Sequence, residues 1–462
     1  MTAFLEQHPE VNSAIHLFEI WTESQRVNRN QPGLSVGIVL DQELIWSRGF
    51  GFADEDAKTP AKPDTIYRIA SISKVFTATA ILQLRDRGRL RLDDPIQEHL
   101  PWFEIQPVGK DAPPITIWHL LTHTSGLPRE AAFPYWTDFE FPTREQIRLK
   151  LPEQRQAYPP ETQWKYSNLA LTLAGEIVAE ASGEPYAEYI QKHILDPLEM
   201  TSTSVVLPEA HRSRLAEAYG RRMPDGARER RPFTDSRGLT PAANLSSTVE
   251  DLARFLSLQF RDGPAGGRQI LRASTLREMR RVQWLKPDWK SGWGLGFGIE
   301  RREGRVQVGH GGNVAGYTTR ITFWPQAKIA VIVMTNADDG NPVMYANRGF
   351  DLVSPEILKA TAPPGEPAQP DSAWNRYVGK YRNSWEDTEV LVLGGELVML
   401  SPSAVDPKES MLKLRPAGQH TFLADGQEGG AEIGEPVVFE LDTEGNVKRV
   451  KVGENYTFPV KE

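Results

Sequence analysis

The sequence predicts an α+β fold: an antiparallel sheet flanked by helices plus an all-helical region, followed by a C-terminal antiparallel β-barrel. Three observations predict it. Strand-like runs stand at both ends of residues 1–360 with helix-periodic runs between them, so one sheet joins the two ends. A Pro-rich stretch, 361–371, then interrupts the pattern and reads as a linker. From 372 to 462 the chain shows short strands and turn signals with no helix, about eight strands in all, which suits a small up-and-down barrel. The expected domains are therefore 1–360 and 372–462.

The elements follow in order. Val11, Ala14, Ile15, Phe18 and Trp21 recur at helical spacing between Pro9 and Asn28, the mark of an amphipathic helix. Leu34–Leu40 and Leu44–Gly51 flank Asp41-Gln42-Glu43 and read as a hairpin. Thr65–Ala70 reads as a strand leading into an apolar helix that starts at Ser71 and runs to Gly88. A second helix is expected over Ile115–Leu127, stopping at Gly126. Helices are also expected at Leu169–Ala181, Tyr186–Ile194 and after Ser247-Thr248, the last from its capping signal. Trp293–Ile299, Arg305–His310, Tyr317–Trp324 and Ala327–Thr335 read as strands. Segment 128–160 is rich in Pro, aromatics and charge, as suits a pocket wall. The basic run through Arg221, Arg222, Arg228, Arg230 and Arg231 reads as a solvated loop.

Composition narrows the function. Lys and Arg number 53 against 61 Asp and Glu, a net charge of −8, which argues against nucleic acid as a partner. There is no cysteine, so thiol nucleophiles, disulfides and Cys-bound metals are excluded. The nine His show no H-E-x-x-H spacing, and His119 and His123, an i,i+4 pair without a nearby acid, read as packing. No cofactor or metal is expected. No apolar run reaches the ~18 residues a membrane span needs, and the N-terminus as written lacks a leader's basic and apolar regions. A cytoplasmic location is expected.

Three constellations carry chemistry. Ser71 and Lys74 stand three apart at a helix start, so the amine reaches the hydroxyl and can take its proton. The Ser71 backbone N–H, at the helix start, can help bind an oxyanion. Tyr166-Ser167-Asn168 opens another helix; the Tyr can act as a base if its pKa is depressed, and the Asn can orient Lys74 and bond a substrate carbonyl. His310-Gly311-Gly312-Asn313 lies on or beside a strand, where the glycines let a substrate approach closely. His310 there can bind a substrate carboxylate, and a strand N–H beyond can be a second oxyanion donor. A fourth pattern, Gly33-Leu34-Ser35-Val36-Gly37, matches G-x-S-x-G, but Ser35 falls within a strand where the nucleophile elbow needs a sharp strand-to-helix turn. It is read as a decoy.

The order and spacing of these three resemble the serine hydrolases of the penicillin-binding protein and class C β-lactamase group, which includes D-aminopeptidases, family VIII carboxylesterases and CubicO peptidases. The resemblance covers residues 10 to about 350, including His119–Leu127, Pro241–Phe255 and Trp293–Gly298; the C-terminal barrel is similar to the lipocalin-like domain appended to some of these peptidases. The resemblance implies a β-lactamase/transpeptidase-like first domain, Ser71 as the acylated nucleophile, Lys74 as its lysine, and Tyr166 as general base with Asn168 in Y-x-N. It implies an oxyanion hole from the N–H groups of Ser71 and Asn313, and substrate binding by His310, Gly311, Gly312 and Asn313. Two departures stand out: His-Gly-Gly replaces the Lys-Thr-Gly of many relatives and removes a permanent cation, and Glu161 replaces a usual Gly.

The expected function is hydrolysis of a carboxylic ester or a small amide or peptide through an acyl-enzyme on Ser71. The missing cation tilts the expectation toward esters or amino-terminal peptides. The alternatives are an inactive ligand-binding or sensor protein of the same fold, and a weak β-lactamase or DD-peptidase. A small-molecule ester, amide or short peptide is the expected partner, and a homo-oligomer is possible.

Overall fold

The computed structural model describes residues 3–109, 111–262, 267–362, 372–404, 410–426, 430 and 432–460. Most of the 361–371 stretch read as a linker lies outside them. The chain divides into two compact units, Met1–Thr361 and Ala362–Glu462.

The first unit is built on a nine-stranded sheet. Its strands are β1 (Gly33–Leu40), β2 (Glu43–Asp54), β3 (Thr59–Pro60), β6 (Trp284–Leu285), β7 (Ser291–Trp293), β8 (Gly298–Arg302), β9 (Arg305–Val314), β10 (Tyr317–Trp324) and β11 (Ile329–Thr335); Tyr67–Arg68 (β4) and Ser246–Ser247 (β5) pair separately. The order is β3-β2-β1-β11-β10-β9-β8-β7-β6. Antiparallel pairing of β1 with β11, Leu34 opposite Thr335, joins the two ends of the unit. β11 is buried throughout, and its apolar residues divide by parity: Ala330, Ile332 and Met334 join one core cluster, Ile329, Val331 and Val333 the other. A period of two sends successive side chains to opposite faces, so helices cover both.

One face is covered by α1 (Pro9–Asn28) and a C-terminal helix, Pro342–Thr361, with Phe18, Tyr345 and Phe350 in the shared core. The sequence reading contained no helix over 342–361. Gly349 and Pro355 interrupt its pattern, and both are breaker signals; packing of Tyr345, Ala346, Phe350, Val353 and Ile357 overrides them.

The helical region covers the other face. At its centre is α2 (Ser73–Asp86), buried from Ser73 to Leu84. Phe76 stacks on Phe255 at 4.3 Å, and burying such a ring contributes roughly 1.5–3 kcal/mol. Around α2 stand α3 (Ile117–Thr122), α4 (Asn168–Ser182) and α5 (Val249–Leu258). Ser167 caps α4 by accepting from Ala170 N, and Thr248 caps α5 by accepting from Asp251 N.

Three expectations need correction here. Ser71 does not begin α2: it lies in a 3-10 turn, Ala70–Ile72, and the strand before it is two residues long. α3 ends at His123 in a left-handed conformation (φ 58°), three residues before Gly126. The strand read over Trp293–Ile299 is broken, because Gly294–Phe297 leaves the sheet between β7 and β8; Gly296 there has φ 86° and sits against α2, where a Cβ would lie 2.6 Å from that of Ala78. The basic run is a largely exposed loop, as read, but three of its five arginines are ion-paired. Arg228 meets Asp339 at 2.5 Å, Arg231 meets Asp338 at 3.1 Å, and Arg230 meets Asp56 at 2.7 Å and Asp54 at 3.0 Å. Its partners lie more than a hundred residues away in sequence, beyond the reach of a local reading.

The second unit is a closed barrel of eight strands, β12 to β19, running Gly379–Arg382, Asp387–Leu393, Glu396–Leu400, Leu412–Gly418, Thr421–Asp425, Pro436–Leu441, Val447–Val452 and Asn455–Pro459. Each strand pairs antiparallel with its sequence neighbour, and β12 pairs with β19 to close the ring. Tyr377, Tyr381, Leu414, Phe422, Phe439 and Val450 fill its core.

Candidate active site

Three chain segments converge on Ser71. The first is the Ile69–Ile72 turn itself. Ala70 is held at φ 46°, a region that costs an L-residue roughly 1–2 kcal/mol. The surroundings over-determine it: Ile69 N donates to Leu245 O, Leu245 N to Ser73 Oγ, and Thr319 Oγ1 to Ile69 O. From this turn Lys74 reaches back, its Nζ 3.0 Å from Ser71 Oγ and 2.8 Å from the Ala242 carbonyl. Lys74 is fully buried. Burial pushes its ammonium down to about 7, against the nearby Glu130 carboxylate, which favours the charge.

The second segment is the approach to α4. Tyr166 hydrogen-bonds Ser71, and its ring lies 5.0 Å beneath Lys74 Nζ. Burial raises the Tyr166 pKa, so the depressed value that a tyrosinate base requires is not met. Asn168 also departs from expectation. Its Nδ2 donates to both carboxylate oxygens of Glu130, at 2.8 and 3.0 Å, rather than orienting Lys74, and its Oδ1 is buried with no partner among the described residues. Glu130 further accepts from the Tyr135 hydroxyl and from Arg129 Nε.

This approach is templated by α3. His123 Nδ1 accepts from Ser167 N at 3.2 Å, its carbonyl from Lys165 N at 2.8 Å, and its ring lies 4.4 Å from that of Tyr166. His119 Nδ1 accepts from Thr116 N, so its Nε2 carries the proton donated to Glu161 at 3.0 Å. His119 thus has the acid partner its own neighbourhood lacks, 42 residues on. Glu161 has φ 62°, a left-handed conformation that glycine adopts without strain.

The third segment is β9. His310 to Asn313 lie within it, and β8 pairs only as far as Gly309, leaving their β8-side edge outside the ladder. Gly312 closes against the nucleophile turn, where a Cβ would fall 2.1 Å from Ile69 O. His310 Nδ1 donates to Gly311 O at 2.6 Å, which leaves Nε2 as the lone-pair nitrogen. Burial, with Lys74 nearby, pushes the imidazole down to about 3. His310 is therefore neutral near pH 7 and supplies no charge for a substrate carboxylate.

Ser71, Tyr166, Asn168 and His310 to Asn313 line one cleft of about 660 Å³, together with Arg129, Trp136, Trp293 and Arg320. Sequence reading missed Arg320, which the antiparallel pairing of β10 with β9 places directly opposite Gly311. Its guanidinium is mostly buried; Nε donates to Thr322, and among the described residues no carboxylate forms an ion pair with it. Ser35 lies apart, buried in β1 and bonded to Lys62 O and the Tyr67 hydroxyl, so the decoy reading of G-x-S-x-G stands. Among the described residues no group of three or more His, Asp or Glu is placed to hold a metal, and no helix is long and apolar enough to cross a membrane.

A half-buried Ser beside a fully buried Lys, facing a Tyr and the free edge of a strand, defines the class, and comparison with known proteins agrees. The chain belongs to the Beta-lactamase family, whose model matches residues 18–353. It is 28% identical over 387 residues to Penicillin-binding protein 4* of Bacillus subtilis, covering 79% of this chain and 81% of that one. It is 27% identical over 346 residues to Beta-lactamase-like protein 2 of Dictyostelium discoideum, spanning 72% of this chain but 62% of that longer protein. Among solved structures, the octameric penicillin-binding protein homologue from Pyrococcus abyssi matches with a TM-score of 0.64 and 25% identity, covering 96% of this chain and 99% of that one.

Proposed function

We propose that the protein hydrolyses a carboxylic ester or a small amide or peptide through an acyl-enzyme on Ser71. The observation that carries this reading is the Lys74 amine, buried, titrating near neutrality and 3.0 Å from Ser71 Oγ. A lysine with a depressed pKa is neutral where it is needed and can take the hydroxyl proton as Oγ attacks the substrate carbonyl. The carbonyl becomes an oxyanion, for which the donors are the backbone N–H groups of Ser71 and Asn313. Lys74 then returns the proton to the leaving group, with the protonated Tyr166 hydroxyl as the relay beside it. Water repeats the sequence on the acyl-enzyme, losing its proton as it attacks and freeing Ser71. Lys74 is thus the base, and Tyr166 a proton carrier rather than a tyrosinate.

A second reading is favoured by Arg320. Its guanidinium lines the cleft opposite Gly311, so a cation is present even though His310 is neutral, and carboxylate-bearing substrates, β-lactams included, stay within reach. A panel of p-nitrophenyl acetate, nitrocefin and amino-acid anilides tests both readings: turnover of at least one, lost in Ser71→Ala, supports the hydrolase, and turnover unchanged in that variant contradicts it. By likeness to the octameric relative, a homo-oligomer is also proposed, to be checked by light scattering.

A further inference from the structure

One residue holds the chain on both sides of Tyr166. The His123 carbonyl accepts from Lys165 N at 2.8 Å, and His123 Nδ1 accepts from Ser167 N at 3.2 Å. We infer that His123 is a positioning residue: by these two bonds and its ring it holds the Tyr166 hydroxyl on Ser71, and so governs delivery of the proton to the leaving group without touching substrate. The inference rests on the acyl-enzyme reading and on Tyr166 as its proton carrier.

The contacts leave Tyr166 little freedom. Lys165 and Ser167 are its chain neighbours, so both flanks of the tyrosine are tied to one residue. The imidazole lies 4.4 Å from the Tyr166 ring, and the Trp293 ring backs both, 5.0 Å from His123 and 6.1 Å from Tyr166. Trp293 is itself tied to the end of α3, its Nε1 donating to Leu121 O at 3.2 Å. Tyr166 lines the cleft with Ser71, whereas His123, 1% exposed, is not among the described residues that do. Its effect on the reaction therefore passes through Tyr166.

His123 is kept at a cost that α3 does not require. It ends the helix at φ 58°, where glycine sits without strain. Burial, with Lys74 nearby, holds its pKa well below the ordinary value, so the ring is neutral. Because Nδ1 accepts from Ser167 N, the ring proton is on Nε2, and that N–H is buried with no partner among the described residues. Backbone strain and an unmet donor at one position point to a residue placed for function rather than for stability. An imidazole offers both a flat face to the Tyr166 ring and an acceptor to the Ser167 amide. Asparagine tolerates the left-handed backbone but has no ring, and phenylalanine has a ring but no acceptor.

The test uses the leaving group. p-Nitrophenolate departs without a proton, whereas an alkoxide needs one. The ratio of kcat/KM for a p-nitrophenyl ester to that for the ethyl ester of the same acid therefore reads proton delivery, and deacylation does not enter it. The ratio is measured for wild type, Tyr166→Phe, His123→Asn, His123→Phe and the double variant His123→Asn/Tyr166→Phe. Fluorophosphonate labelling of Ser71, whose fluoride also leaves without a proton, is run on each to show an assembled site. Tyr166→Phe should raise the ratio by about 10²-fold or more, the worth of a general acid. His123→Asn and His123→Phe should each raise it by at least about tenfold, since a misplacement of about 1 Å can cost about 10²-fold. The double variant should lie within about threefold of Tyr166→Phe alone, because the two residues act as one unit. His123 variants that lower both esters equally overturn the inference, as does a double variant in which the two effects multiply. Loss of labelling in both His123 variants overturns it too, because His123 would then support the fold at large rather than Tyr166. Absence of labelling in the wild type contradicts the acyl-enzyme reading instead, and an unchanged ratio in Tyr166→Phe contradicts the proton-carrier role of Tyr166.

Discussion

The fully buried Lys74 places its Nζ 3.0 Å from the Oγ of half-buried Ser71 and donates to the Ala242 carbonyl at 2.8 Å. One carbonyl and one hydroxyl are little compensation for a buried ammonium, which is why its pKa falls to about 7.

Activity should therefore rise with pH through about 7 as Lys74 loses its proton. A kcat/KM profile from pH 5 to 9 on a neutral ester should show a single rising limb centred there. A flat profile would remove Lys74 from the base role.

The same group sets a stability trend. The unfolded chain holds a proton on Lys74 up to about 10.5, the folded chain only to about 7. Between these values the unfolded state binds more protons, so stability gains from this site as pH rises from 7 toward 10.5. Lys74→Met should raise Tm at pH 7, and the difference should shrink as the pH approaches 10. A difference independent of pH would mean that Lys74 is not depressed in the folded state.

Tyr166→Phe should lower turnover by roughly 10²–10⁴-fold, the usual worth of a proton-transfer group. Because Tyr166 stays protonated, the midpoint near pH 7 should survive in the residual activity. Loss of the midpoint would give the titration to Tyr166.

Two neighbouring glycines should behave differently. A Cβ on Gly312 would fall 2.1 Å from Ile69 O, whereas the nearest atom to one on Gly311 is 3.6 Å away. Gly312→Ala should cost about 1–3 kcal/mol, the range for overpacking, and should displace β9 from Ser71 with loss of activity. Gly311→Ala should fold with near-wild-type Tm. Equal melting of the two variants would contradict the placement of β9.

At position 161 the order of stability should be Gly above Ala. Glu161 holds φ 62°, and a side chain there costs about 1 kcal/mol relative to Gly. Both variants lose the His119 bond, so the difference between them isolates the backbone term; chemical denaturation measures it.

Much of this arrangement was legible in the sequence because its signals are local. Ser71 and Lys74 are one turn apart, the barrel strands pair with their sequence neighbours, and the β1–β2 hairpin announces itself through alternation. What stayed hidden depends on partners distant in the chain. Glu130 clamps Asn168 across 38 residues and turns it away from Lys74; Glu161 finds His119 across 42; Arg228 finds Asp339 across 111. The direction of the Tyr166 and Lys74 shifts was equally out of reach, since it follows from burial and not from residue type. The 342–361 helix was lost to its Gly and Pro, which local rules weigh more heavily than tertiary packing does.

The central claim is that Ser71 is the nucleophile, and covalent capture tests it most directly. The protein is incubated with a fluorophosphonate probe at pH 8, digested, and the modified peptide is identified by mass spectrometry. The account predicts a single adduct on Ser71, absent from Ser71→Ala and unaffected by Ser35→Ala. An unlabelled wild type, or an adduct that persists in Ser71→Ala, would contradict it.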